Sequence, residues 1–64
     1  MTLALKNDGS IADVLEHVAV LVRKGLVVGL SIHMKPGQDT RVSIEFKQAP
    51  PADEVEALKK IESD

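Results

Sequence analysis

Between Asn7 and Phe46 a turn, an amphipathic helix, a single glycine and two alternating strands follow one another with almost no spacer residues. That succession constrains the fold more than any other feature, because each junction carries its own stop or start signal. Asn7-Asp8-Gly9 is turn chemistry, and Ser10 followed by Asp13 resembles a capping box that begins a helix at Ile11. Ile11, Val14, Leu15, Val18, Leu21 and Val22 recur at helical spacing, with Asp13, Glu16, His17, Arg23 and Lys24 on the other side. Gly25 supplies the left-handed residue that ends such a helix.

Beyond Gly25, Leu26, Val28, Leu30, Ile32 and Met34 alternate with Val27, Gly29, Ser31, His33 and Lys35. The alternation predicts a strand with five large apolar side chains on one face, a face that must be covered. Pro36-Gly37-Gln38-Asp39 reads as a turn, and Val42, Ile44 and Phe46 mark a second strand that closes an antiparallel hairpin. Ala49-Pro50-Pro51 stops it, and a second helix begins at Pro51 or Ala52, with Val55, Leu58 and Ile61 as its apolar stripe. Upstream, Met1, Leu3 and Leu5 alternate with Thr2, Ala4 and Lys6 as a short first strand. The order is β-α-β-β-α, and the expected architecture is α+β: a two-layer sandwich in one domain, residues 1–64, with the hairpin packed on two helices.

A chain of 64 residues buries only about 60% of the surface its unfolded form exposes. Small domains are commonly stapled by disulfides, a metal or self-association, and the absence of cysteine removes disulfides and thiolate zinc sites. A homodimer is the expectation, with the Leu26-to-Met34 strands pairing edge to edge. A net charge of −2 and a single aromatic residue, Phe46, argue against nucleic-acid binding. The longest apolar run, Val18 to Val22, is too short to span a membrane, so a soluble cytoplasmic protein is expected.

No motif announces catalysis. The serines form no Gly-x-Ser-x-Gly elbow, neither histidine has triad spacing, and there is no P-loop or dinucleotide fingerprint. Asp53, Glu54 and Glu56 are better explained by the dipole of the second helix than by acid–base work. His17 and His33 sit on different elements without a third ligand, which favours solvated histidines over a metal site. No enzyme activity, cofactor or metal is expected. Lys24, Arg23, Lys35, Arg41 and Lys47 would form a basic strip, but Glu45 interrupts it.

Taken together, Leu3 to Leu5, the Asn7-Asp8-Gly9-Ser10-Ile11 turn, the Leu21-to-Leu26 helix exit, the Leu30-to-Met34 strand and Glu54 to Ile61 resemble an ACT domain. This is a small ligand-sensing regulatory module of ferredoxin-like βαββαβ fold, and the likeness is to the small regulatory subunits of acetolactate synthase in particular. Two departures stand out: Asp8 where the family commonly has proline, and no fourth strand after the second helix. A strand from a partner chain, a chain cut short, or a different αββα unit would each account for the second. The resemblance implies a non-enzymatic amino-acid sensor, dimeric and acting on a partner enzyme, with Asn7, Asp8, Gly9, Ser10 and Ile11 as the ligand-binding residues. A helix N-terminus with Gly9 beside it suits a ligand carboxylate, and Asp8 an ammonium; the plainer reading makes Ser10 a cap and Gly9 a turn residue. The alternative function is a protein-interaction module that assembles through its sheet edge without a small ligand.

Overall fold

The computed structural model describes the backbone of residues 1–63 and the side chains of residues 1–62. Five elements follow in the expected order: β1 (Thr2–Leu5), α1 (Gly9–Arg23), β2 (Val27–His33), β3 (Thr40–Phe46) and α2 (Ala52–Ser63). The three strands form one antiparallel sheet in the order β1-β3-β2, so β3 is central and both β1 and β2 are edges. This is the α+β, β-α-β-β-α arrangement expected of the sequence.

One sheet face is apolar and carries the helices. Leu3 and Leu5 of β1 and Val42 and Ile44 of β3 are buried there against Val14, Val18 and Leu21 of α1 and Leu58 of α2. Each buried side chain comes from a period that the sequence displays, two in the strands and three to four in the helices. The opposite face carries Thr2, Ala4, Arg41, Ser43 and Glu45, all exposed.

Gly25 ends α1 as expected. It adopts φ 74°, its N–H donates to the Val22 carbonyl (3.0 Å), and the Leu26 N–H donates to the Leu21 carbonyl (3.1 Å). Those two bonds make a Schellman cap, and Leu26 packs on the core beside Leu21. The β2–β3 turn uses the same device: Pro36 is followed by Gly37 at φ 75°, and the Gln38 N–H closes onto the Lys35 carbonyl (3.2 Å).

Two local expectations are corrected. The α1 helix starts at Gly9, not Ile11, and its cap is Asp8 instead of Ser10: the Asp8 carboxylate accepts from the Ser10 N–H at 2.8 Å. An Asp is as good a cap as a Ser, and choosing it lets the helix begin two residues earlier. In β2, the strict alternation is interrupted between Val27 and Gly29. Val27 stands opposite Phe46, Gly29 opposite Glu45 and Leu30 opposite Ile44, so Val28 is the extra residue of a bulge. Leu30 and Ile32 keep the helix-side face, opposite Ile44 and Val42, whereas Val28 leaves the series.

The chain's own helices also leave the β2 end of that face uncovered. Leu30, Ile32 and Met34 remain 46%, 43% and 60% exposed, although their partners on β3, Ile44 and Val42, are buried. Val20 and Val22 of α1 and Val28 of the bulge are exposed as well.

Candidate functional site

Two stretches far apart in sequence meet at one end of the sheet: the β1–α1 turn running into the first two turns of α1, and the residues that leave β2. Their union is an open groove of about 780 Å³ lined by Asn7, Asp8, Ile11, Ala12, Leu15, Met34, Lys35 and Pro36. The lining divides by chemistry. Ile11, Ala12, Leu15, Met34 and Pro36 supply apolar surface, Asp8 an anion and Lys35 a cation.

Asn7 holds the two sides together. Its Nδ2 donates to the Gln38 carbonyl at 2.7 Å and to the Lys35 carbonyl at 3.4 Å, and its Oδ1 accepts from the Thr40 hydroxyl. Thr40 is the one buried polar side chain among the described residues, with no solvent exposure. The amide of Asn7 thus ties the β1–α1 turn to the β2–β3 turn and satisfies a buried hydroxyl. Its donors and its oxygen are engaged within the fold.

Asp8 serves as the helix cap and keeps its charge at the groove. Hydrogen bonds from the side chain and the backbone N–H of Ser10, with a smaller contribution from Lys6, hold its carboxyl below the ordinary value of 3.8. The group is therefore ionised at neutral pH. Of the five residues the sequence singled out, Asn7, Asp8 and Ile11 line the groove, whereas Gly9 and Ser10 lie in the first turn of α1 outside its lining. A side chain at Gly9 would meet nothing within 4 Å, so the position has room for substitution.

Lys35, Met34, Pro36, Ala12 and Leu15 complete the groove without having been singled out. Leu15 is legible as part of the α1 stripe, but its being flanked by Met34 and Lys35 depends on where β2 ends beside α1. No local pattern encodes that distance.

The two histidines stay apart. His17 Nε2 lies 2.6 Å from Glu54 Oε2 of α2, and Lys24 Nζ lies 3.8 Å from the same carboxylate, so this group is a clasp between the helices. His33 lies on β2 opposite Arg41. Among the described residues no three His, Cys, Asp or Glu side chains gather in a way that would hold a metal ion. No helix among them is long and apolar enough to cross a membrane.

Comparison with protein-family models, with curated proteins and with solved structures finds no match to this chain.

Proposed function

We propose that this chain is a non-enzymatic, cytoplasmic regulatory module that binds a small amino-acid-like ligand and works as a dimer, in the manner of an ACT domain acting on a partner enzyme. The observation that carries this reading is the groove, where the ionised Asp8 carboxylate and the Lys35 ammonium border a floor of Ile11, Ala12, Leu15 and Met34. A free amino acid has the matching complement: an ammonium for Asp8, a carboxylate for Lys35, and a side chain for the apolar floor.

The dimer half of the proposal rests on β2. Among the described residues nothing pairs with its outer edge, and Leu30, Ile32 and Met34 expose apolar surface beside it. A second copy related by a two-fold axis brings the same edge and the same apolar strip to meet this one, extending the sheet while covering both. Ligand binding regulates only if one state of that dimer binds better than the other.

The test is an NMR titration with pooled amino acids, run on the wild type and on Ala12→Phe. Ala12 is exposed on α1, so a phenylalanine there fills the groove without entering the core. Shifts at Asp8, Ile11 and Lys35 in the wild type that vanish in A12F support the ligand site. A silent groove in a stable dimer favours the second reading, a protein-interaction module that assembles through its sheet edge, for which the exposed Leu30–Ile32–Met34 strip is the specific observation.

A further inference from the structure

The two edges of the sheet are not equivalent. Met1 and Ile44 exchange both backbone bonds, the Met1 amino group donating to the Ile44 carbonyl at 2.9 Å and the Ile44 N–H to the Met1 carbonyl at 2.7 Å. Antiparallel pairing alternates, so Leu3 and Leu5 also turn their backbone groups toward β3, while Thr2 and Ala4 turn theirs outward. The outward N–H of Ala4 meets Glu62 Oε2 of α2 at 2.7 Å. A charged side chain from the last turn of a helix thus occupies a donor that an added strand would need.

We infer that Glu62 is an edge guard: it closes β1 to strand addition and so directs self-assembly to β2 alone. The asymmetry in charge supports this. From Val27 to His33, β2 has no Asp, Glu, Lys or Arg, whereas the shorter β1 edge has a carboxylate laid against it. An incoming strand at β1 must displace Glu62 or bring its own carbonyl oxygens against an anion, and both oppose pairing. The consequence is geometric. With both edges open, β2 of one copy would pair with β1 of the next and the contact would repeat without closing; with β1 guarded, a β2–β2 contact closes on a two-fold axis. Only this closing step rests on the dimer proposed above.

The decisive comparison is the wild type, Glu62→Ala and Glu62→Gln, followed by sedimentation velocity over a concentration series and by amide exchange at Ala4. Glu62 is exposed and alanine is a strong helix former, so α2 persists in the variant, as circular dichroism will verify. In E62A the Ala4 amide exchanges on the order of tenfold faster, and the protein grows with concentration into species larger than the wild type forms. E62Q keeps a carbonyl acceptor for the Ala4 N–H but not the charge, so its amide exchange and its growth fall between those of the wild type and E62A. An E62A variant whose Ala4 amide stays protected, or whose size distribution matches the wild type, overturns the inference. A monomeric wild type whose E62A variant assembles sinks the β2 dimer and keeps the guard, whereas a wild type and E62A that are both simple dimers do the reverse.

Discussion

Replacing Asn7 with alanine removes the partner of a fully buried hydroxyl, and its cost follows from the three bonds that Asn7 makes. The Lys35 and Gln38 carbonyls belong to an exposed turn and regain water, so each lost bond there costs about 0.5–1 kcal/mol. The Thr40 hydroxyl is different: with no exposure and Asn7 gone, it is left without a partner, a penalty of about 1–3 kcal/mol. Asn7→Ala should therefore lose about 2–5 kcal/mol, against a total of about 3–10 kcal/mol for a chain of this length. At this size that corresponds to a fall in Tm of about 15–35 °C. Thr40→Val keeps the shape and leaves Asn7, which is exposed, to hydrogen-bond water, and should cost about 1 kcal/mol or less. The double variant has no buried orphan, so it should be more stable than Asn7→Ala alone, with a coupling of about 1–2 kcal/mol. Urea denaturation followed by circular dichroism measures all four corners of the cycle. Additive effects, or a double variant less stable than N7A, would show that Asn7 does not latch the two turns.

Three further outcomes are expected. Ile32→Glu puts a charge into the exposed apolar strip; with about 1 kcal/mol of remaining burial lost in each protomer, dimer dissociation by sedimentation equilibrium should weaken by roughly 30-fold or more while the far-ultraviolet spectrum is unchanged. Leu58→Ala, at a position with no exposure, should cost about 3 kcal/mol, whereas Glu54→Ala, which breaks the partly buried clasp to His17 and the exposed Lys24, should cost about 0.5–1 kcal/mol in the same denaturation assay. Asp8 has a carboxyl held below 3.8 in the folded chain, so its contribution is present above that value and is lost as pH falls through the lower folded one. Asp8→Asn should flatten that part of the acid limb, and an unaltered limb in an acid titration of stability would count against the cap.

Local chemistry was legible from the residues alone. Gly25 had to be a cap, because the helical period stops there and the strand period starts one residue later. Pro36-Gly37 had to be a turn, because the first residue presets φ and the second accepts a positive one. The buried face was legible for β1, β3 and α2, where Leu3, Leu5, Val42, Ile44 and Leu58 sit at the positions their periods assign. Less of the groove could be read. Asn7 and Asp8 lie in the β1–α1 turn and Ile11 just after it, but Met34 and Lys35 approach from the far end of a strand more than 20 positions later.

What the sequence determined by itself is the list of elements, their order and most of their ends, since each of these is set within a turn or two of chain by dihedral preference, capping and hydrophobic period. What tertiary structure decided is everything that depends on two segments meeting. The strand order put β3 in the centre and left β1 and β2 as edges. The Val28 bulge broke an alternation that looked unbroken, because register answers to the partner strand as well as to the strand's own pattern. Leu30, Ile32 and Met34 satisfy every sequence criterion for a core and stay exposed, because the two helices bury the inward side chains of β1 and β3 together with Val27 and leave the rest of β2 uncovered. The latch of Asn7 to Thr40, the clasp of His17 to Glu54 and the guard of Glu62 over Ala4 all join residues more than 30 positions apart, and proximity at that separation is created by packing, not by local preference.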